Sequence, residues 1–419
     1  LDQDALRVIS VLQRRGEHEA YLVGGCVRDL LLGRRPKDFD VATSARPRQI
    51  KDLFPRLGRI IGKRFRLVHI TFNGHVIETA TFRKAPRKSE DAPDDLLIVD
   101  DNEFGSAEED ARRRDFTINA LFLDPFSLRI HDFVGGLEDL DAGLLRTIGE
   151  ARVRMAEDPV RILRAVKFAT RLGFRIESAT WDAMCELAPD LGRSAKPRVT
   201  EEIQRLLRSG TALGAFRMLR ACGALRVILP EIDDHLGAHD DPDPAVHDRA
   251  DTFWRLLEAL DADVHAGHTP DPAVCVAVLF LRVIEHAAHL DARTHDAPPQ
   301  EIASAAAEVL EPFSLAFRLS RRDSGKAIRI ITLQRRFTQT PSKRFSPLVF
   351  AKSEDFREAL DLFRLRSMAW GQGWDVYEGW LHRFEEAQRS PPEELELARK
   401  RTRRRGRRRP RGDPKPAPP

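Results

Sequence analysis

The sequence predicts an α+β protein, with a mixed sheet and helices over residues 1–136 followed by helical regions. Two observations predict this class, in a chain whose 419 residues are enough to bury several cores. Short apolar segments of strand character are concentrated before Gly136, and two of them flank Asn73 and Gly74, a dipeptide typical of tight hairpins. After Gly136 the apolar residues recur at helical spacing instead.

The elements of the first region alternate between helices and strands. Residues Asp4–Arg15 have an amphipathic helical pattern, and the pair Gly24 and Gly25 lies between a short apolar strand and a second helix. The segment Lys84–Glu103 is rich in Pro, Asp, Lys and Ser, which predicts an inserted loop. The predicted strands are Ala20–Val23, Phe39–Thr43, Leu67–Phe72 and Val76–Thr81, and the second helix is predicted over Val27–Leu32.

The remainder of the chain reads as helices, the first predicted over Glu157–Leu172. Shifts in composition at Leu236–Val246 and Asp291–Pro299 indicate further boundaries. We therefore expect a head over residues 1–136, a neck over 137–205, a body over 206–345, a C-terminal helical region over 346–390 and a disordered tail over 391–419.

The composition excludes several classes of protein. Charged residues make up 32% and apolar residues 42%, and no apolar run is long enough to span a bilayer, so we expect no role in a membrane. The first residues lack the basic-then-apolar order of a secretory signal. The four cysteines are far apart without a CxxC pair, which predicts neither a disulfide framework nor a zinc site. A cytoplasmic protein fits these features best.

The formal net charge is only +4, but a dense basic run extends from Arg399 to Arg411. Such a run attracts nucleic-acid phosphates without reading their sequence. A disordered, solvated tail alone would have the same composition, and we expect this tail to contact nucleic acid as well. The arginines concerned are Arg401, Arg403, Arg404, Arg405, Arg407, Arg408 and Arg409.

Two carboxylates, Asp38 and Asp40, follow the glycine pair and lie two residues apart. On a strand this spacing places both on one face, where they can hold the same pair of divalent cations such as Mg²⁺. Two ions of this kind promote phosphoryl transfer, since one activates the attacking hydroxyl and the other neutralises the leaving pyrophosphate. Glu78, central on a predicted strand, is a candidate for a further carboxylate. An exposed polar position is its equal alternative.

The glycine pair and Arg28 predict a phosphate site. Gly24 and Gly25 allow a ligand to approach the backbone closely, and the helix that they open favours negative charge at its start. Arg28, one turn further, can add a charge-assisted clamp. A plain turn with a surface arginine is the alternative, but beside Asp38 and Asp40 these residues indicate a nucleoside triphosphate site.

Five segments together carry a resemblance to a known family: Leu22–Gly33, Lys37–Asp40, Arg113–Ala120, Val134–Gly136 and Glu157–Arg164. In this order they resemble the family of poly(A) polymerases and CCA-adding tRNA enzymes, whose head belongs to the polymerase-β-like nucleotidyltransferases. The resemblance covers the predicted head and neck. It implies that Asp115 completes the catalytic acid set and that Arg114 lies beside the nucleotide, although Arg112 and Arg113 would equally form a basic surface.

The predicted neck offers groups that can distinguish nucleobases. A carboxylate accepts from an exocyclic amine and an arginine donates to a ring nitrogen, which suits adenine and cytosine. The resemblance gives this role to Asp158 and Arg161, and Arg164 follows at helical spacing as a further nucleotide-binding residue. The alternative for Asp158 is a helix N-cap with Pro159 at the first helical position.

Selection of adenine or cytosine serves both branches of the family, and other features favour polyadenylation. Gly62–His69 and Phe356–Arg366 resemble the poly(A) polymerase branch, and a basic tail suits an enzyme that holds many RNA 3′ ends. We therefore expect template-independent addition of AMP from ATP, in mRNA processing and RNA turnover. A CCA-adding tRNA enzyme is the main alternative, and a non-catalytic RNA-binding protein with the same fold is a remote one.

Two other patterns invite functional interpretations that we reject. Histidines 235, 239 and 247 with their nearby aspartates resemble a metal phosphohydrolase motif, but a polar, Pro-rich stretch favours solvated histidines. Trp370, Trp374 and Trp380 have helical spacing, which predicts core anchors rather than base-stacking platforms.

Overall fold

The computed structural model describes residues 1–62, 66–84, 103–238, 240–288, 299–316, 319–338 and 345–398. The chain divides into two compact units, the first formed by Leu1–Ser194 with Ala221–Val227 and the second by Ala195–Arg220 with the chain from Ile228 onward. No helix of the described residues is long and apolar enough to cross a membrane.

The first unit is built on a mixed sheet, as the sequence predicts. Seven strands of the described residues form it in the order β3-β4-β5-β2-β1-β6-β7, and β2 and β5 are parallel neighbours. The strands are β1 (Ala20–Val23), β2 (Asp40–Thr43), β3 (Gly58–Ile61), β4 (Leu67–Phe72), β5 (His75–Thr81), β6 (Leu121–Leu123) and β7 (Ile130–Asp132).

Helices pack against the sheet, and the first of them does so through an apolar stripe. In the first helix, Ala5, Val8, Ile9 and Leu12 follow helical spacing and are all buried. Asp2 caps the N-terminus of this helix, because its Oδ1 accepts a hydrogen bond from the backbone N–H of Ala5. The helices of this unit are α1 (Gln3–Arg14), α2 (Gly25–Leu31), α3 (Pro47–Leu53), α4 (Ala107–Arg113), α5 (Gly136–Asp141), α6 (Ala151–Glu157), α7 (Val160–Leu172) and α8 (Ser178–Leu187), with 3₁₀ helices at Thr117–Asn119 and Ala188–Arg193.

The predicted neck differs from the expectation in two respects. It contains a short parallel pair of strands, β8 (Leu144–Leu145) and β9 (Arg175–Ile176), where only helices were expected. The helix predicted over Glu157–Leu172 is also interrupted, because α6 ends at Glu157 and α7 begins at Val160. A proline at position 159 disfavours helical backbone at the residue before it, which accounts for the break.

The rest of the described chain is helical, as predicted. Helix α14 is apolar on nearly every side, and its eleven buried residues place it in the core of the second unit. The helices are α9 (Lys196–Leu207), α10 (Ala212–Ala221), α11 (Ala224–Ile228), α12 (Pro230–Leu236), α13 (Pro244–His265), α14 (Pro272–Ala287), α15 (Pro299–Ala316), α16 (Arg321–Thr338), α17 (Pro347–Ala351), α18 (Phe356–Trp370) and α19 (Trp374–Arg389).

The three tryptophans near the end of the chain have different environments. Trp380 is buried among aromatic rings and donates from Nε1 to the carbonyl of Phe337, so its prediction as a core anchor is confirmed. Trp374 is 39% exposed, so the prediction is wrong for it, and Trp370 is half-buried. Residues 392–398 form a further short helix inside the segment predicted to be disordered.

Candidate active site

The carboxylates predicted to bind metal lie at the start of β2. Asp40 is its first residue, so Asp38 lies in the connection before the strand and not on it. Because β2 runs parallel to β5 with Val41 beside Thr79, Asp40 and Glu78 are neighbours on adjacent strands. Glu78, the candidate for a further carboxylate, therefore lies next to Asp40.

The surroundings of Asp40 raise its pKa. Its side chain contacts solvent, but the protein atoms packed around it, followed by the charges of Glu78 and Asp38, raise the pKa of Asp40 to about 6, against the opposing charge of Arg114. Carboxylates that repel one another in this way are ligands that a divalent cation would stabilise. The donor set of Asp38, Asp40 and Glu78, all oxygens, fits Mg²⁺.

The glycine turn lies beside these carboxylates, because Val23 pairs with Asp40 across β1 and β2. Gly24 has a φ of +74°, a conformation that L side chains rarely adopt. A Cβ at Gly24 would lie 3.3 Å from Nη1 of Arg114, so this guanidinium closely approaches the turn. The structure thus brings Arg114 to the predicted phosphate site.

Arg114 is held in place by a buried acid that the sequence interpretation missed. Its Nε and Nη2 donate to Oδ2 of Asp110 at 3.1 and 2.8 Å. Burial raises the pKa of Asp110, but the charges of Arg114 and Arg113 outweigh it and lower the pKa below its ordinary value. The spacing of Asp110 four residues before Arg114 on a helix was the available signal.

Arg28 is not the surface arginine of the alternative interpretation, since it is only 2% exposed. Its Nε and Nη2 donate to Oδ1 of Asp29 at 2.9 and 2.6 Å, and its Nη1 donates to Oδ1 of Asn119 at 2.5 Å. The guanidinium also lies 5.2 Å from the ring centre of Phe168. In this structure Arg28 therefore joins α2 to the Thr117–Asn119 turn, and contact with a phosphate stays a prediction.

Asp115 and Arg164 form an ion pair between the end of α4 and helix α7, with Nη2 and Oδ2 2.6 Å apart. Burial raises the pKa of Asp115, but Arg164 and the hydrogen bonds from Phe116 and Asn119 lower it below its ordinary value. Asp115 is thus ionised and engaged by the neck helix. Its predicted place in the catalytic acid set stays a prediction.

Arg154 is a second link between these segments, and the sequence interpretation missed it. One nitrogen, Nη2, donates to the backbone carbonyls of Arg113 and Arg114 at 2.6 and 2.7 Å, and Nη1 donates to Glu157 at 2.6 Å. Arg161 in turn donates from Nη1 to the carbonyl of Arg154 at 2.5 Å. The spacing of Arg154, Glu157 and Arg161 by three and four residues was the signal that could have found the group.

The two predicted base-selecting residues lie at the break between α6 and α7. Asp158 is the C-cap residue of α6, and Pro159 is the N-cap residue of α7. The alternative interpretation, in which Asp158 is the N-cap and Pro159 the first helical residue, is therefore wrong by one residue. Arg161 is 7% exposed.

The arginines of the predicted RNA-binding tail, from Arg401 to Arg409, lie outside the described residues, as does His239.

Family models match three parts of the chain. Residues 20–146 match the poly A polymerase head domain, residues 173–236 match a probable RNA and SrmB-binding site of polymerase A, and residues 295–414 match the polymerase A arginine-rich C-terminus. The matches extend over both units of the fold.

Curated relatives fall into two groups. Poly(A) polymerase I of Haemophilus influenzae is 34% identical over 405 residues, which is 94% of this chain and 86% of the relative. Poly(A) polymerase I of Escherichia coli strain CFT073 is 36% identical over 88% of this chain and 78% of the relative. The CCA-adding enzyme of Geobacillus thermodenitrificans is 39% identical, but over 54% of each chain.

Solved structures resemble the whole fold. The CCA-adding enzyme of Bacillus stearothermophilus in complex with CTP is 27% identical and covers 92% of this chain and 82% of its own, with a TM-score of 0.67. The CCA-adding enzyme of Thermotoga maritima in complex with tRNA has a TM-score of 0.59 at 20% identity, which supports the fold alone. The predicted nucleotidyltransferase head followed by helical regions is therefore confirmed.

Proposed function

The chain belongs to the poly(A) polymerase family of nucleotidyltransferases, and on that premise we propose that it adds AMP from ATP to RNA 3′ ends without a template. The observation that carries this proposal is the extent of the match. Relatives named poly(A) polymerase I align with 88–94% of the chain, whereas the CCA-adding enzyme of Geobacillus thermodenitrificans aligns with 54%. The RNA 3′-hydroxyl attacks the α-phosphate, and pyrophosphate leaves.

In this proposal the acids at β2 and β5 hold Mg²⁺. Asp38 and Asp40 are the ligands, and Glu78 supports the site as the neighbour of Asp40. Bound Mg²⁺ would activate the attacking hydroxyl and neutralise the leaving group. The grouping of these three carboxylates beside the glycine turn is the feature that supports cation binding here.

The nucleotide then lies between the glycine turn and the neck. Gly24, Gly25 and Arg114 approach the triphosphate, and Arg28 holds the turn in shape through Asn119. Asp158 and Arg161, at the break between α6 and α7, select the base. Asp115 and Arg164 position the neck relative to the head segment that carries Arg114. The predicted domain limits at residues 136, 205 and 345 and a cytoplasmic location belong to the same proposal.

The test supplies the purified protein with Mg²⁺, a generic single-stranded RNA and each nucleoside triphosphate in turn. A second substrate, a tRNA that lacks its 3′ end, is supplied in parallel. We expect long extension of the generic RNA with ATP alone. Extension of only the tRNA, ending after a fixed addition, would establish the CCA-adding alternative. No incorporation with either RNA would leave the non-catalytic alternative.

A further inference from the structure

The second unit contains a cavity of about 610 Å³, within the range of pockets that bind small ligands. Helices α13, α14, α16 and α18 supply most of its walls. Its lining combines arginines, two carboxylates, uncharged polar groups and apolar side chains. The lining residues used below are Arg255, Arg282, Arg335, Arg366, Gln334 and Trp370.

Positive charge exceeds negative charge in this cavity, since four arginines lie there with two carboxylates. One of those carboxylates, Glu285, is shared by Arg282 at 2.6 Å and by Arg366 at 3.5 Å. A single carboxylate cannot balance two guanidinium groups. The cavity therefore favours a ligand that carries negative charge.

The apolar part of the cavity is aromatic. The Trp370 ring is half-buried, and the guanidinium groups of Arg282 and Arg366 lie 5.9 and 5.1 Å from its centre. Phe363, Ile302 and Ile331 complete this surface. A ligand that combines an anion with a flat ring would satisfy both kinds of wall.

The amide of Gln334 is a fixed part of the cavity wall. Gln334 is 3% exposed, and its Nε2 donates to the carbonyls of Ile330 and Ala359 at 3.1 and 2.9 Å. These two acceptors fix the orientation of the amide. Within the described part of the chain, Oε1 of Gln334 has no hydrogen-bond partner, but it also has almost no solvent-accessible surface, so it does not face the open space of the cavity and we give it no part in binding.

From the excess of positive charge and the aromatic surface of the cavity, we propose that it binds one unpaired nucleotide of the RNA substrate. The phosphate contacts Arg255 and Arg335, and the base lies along the apolar surface. The identification of the ligand as RNA rests on the proposed function. The residues that line the cavity include none of those assigned to the chemistry. A free nucleotide has the same chemistry, and the experiment separates the two sources.

The experiment compares full-length Arg335→Ala with Arg336→Ala. Both residues are on α16, each change removes one positive charge, and only Arg335 lines the cavity. Binding of a fluorescent single-stranded RNA is measured without ATP. Loss of one charge-assisted contact should raise the Kd of Arg335→Ala by about tenfold, and that of Arg336→Ala far less. Steady-state assays should show a matching rise in KM for RNA with kcat unchanged.

Equal Kd values for wild type and Arg335→Ala, or an equal loss in both variants, would overturn the proposal. If Arg335→Ala fails to fold, Arg255→Ala on α13 replaces it, because Arg255 is exposed at the cavity. Excess AMP is then added to the wild-type complex. Displacement of RNA that depends on Arg335 would show that free nucleotide also occupies the cavity, and no displacement would assign it to RNA alone. A wild type that binds RNA but adds no AMP would contradict the proposed function and leave this inference standing.

Discussion

Arg164 reaches from helix α7 to Asp115, placing its Nη2 and Nε 2.6 and 2.8 Å from one carboxylate oxygen, Oδ2. The other oxygen, Oδ1, accepts from the backbone of Phe116 at 2.9 Å and from Asn119 at 3.4 Å. The next residue towards the N-terminus is Arg114, which approaches the glycine turn. The ion pair therefore fixes the position of the neck helix relative to the proposed nucleotide site.

Replacing Arg164 by alanine should lower the free energy of unfolding. Asp115 is 11% exposed, and an unpaired carboxylate at such a site should cost about 3 kcal/mol near neutral pH. The folded-state pKa of Asp115 is lowered in the wild type, so this stability is present above the unfolded pKa and is lost as pH falls through the folded one. The difference between wild type and variant should therefore shrink on acidification. Urea unfolding across a pH series measures it.

Arg171→Ala is the control for that experiment. Arg171 is on the same helix, is 39% exposed and lies 3.4 Å from Asp29, so its loss should cost less than about 1 kcal/mol. A difference between wild type and Arg164→Ala that stays constant from neutral to acidic pH would show that lost packing, and not the ion pair, causes the destabilisation.

The acids at β2 and β5 should separate into essential and supporting groups. Asp38→Ala and Asp40→Ala should abolish nucleotide addition, since each removes a proposed Mg²⁺ ligand. Glu78→Gln should retain activity but require more Mg²⁺, because less negative charge then surrounds Asp40. Addition rates across a Mg²⁺ titration measure this, and circular dichroism reports the fold. Wild-type rates for Asp38→Ala or Asp40→Ala would refute the site.

Arg161→Ala should weaken the preference for ATP over GTP and UTP, since a bidentate base contact is worth about 1–3 kcal/mol of discrimination. Arg161 also donates to the carbonyl of Arg154, so its loss could loosen the neck instead. Arg154→Leu is the matched variant, because it removes the contacts to Arg113 and Arg114 and leaves the base-selecting side chains present. Ratios of kcat/KM for the separate nucleotides distinguish the two effects. Unchanged selectivity in Arg161→Ala would leave it a structural residue.

The parts of the fold that could be predicted from sequence are those with local signals. Four of the five strands from Ala20 to Thr81 follow from apolar segments bounded by glycine and by the Asn73 hairpin, whereas β3 was not predicted. Strands β6 and β7 have three residues each, and they form where β6 pairs with β1 and β7 pairs with β6, so no local pattern marks them. The buried partners of Arg28 and Arg164 are 91 and 49 residues away in sequence. Such pairings depend on tertiary structure. The sequence alone therefore does not distinguish an exposed arginine that binds phosphate from a buried arginine that links two segments of the protein.

The basic tail should supply RNA affinity that is independent of both the chemistry and the cavity. Deleting everything after Ala398 removes the basic run from Arg399 to Arg411 while leaving the first unit intact, so kcat at saturating RNA should not change. The Kd for RNA should rise, and its salt dependence should flatten, because each phosphate contact to a single strand contributes a slope of about −0.7 in log K against log salt. The truncation should therefore reduce the salt slope by the contribution of several phosphate contacts, whereas Arg335→Ala should reduce it by the contribution of about one. RNA binding across a salt series, for full-length protein and both variants, measures these slopes. A truncation with wild-type affinity and slope would show that the tail does not bind RNA, and the general affinity for RNA 3′ ends would then have to come from the helical regions.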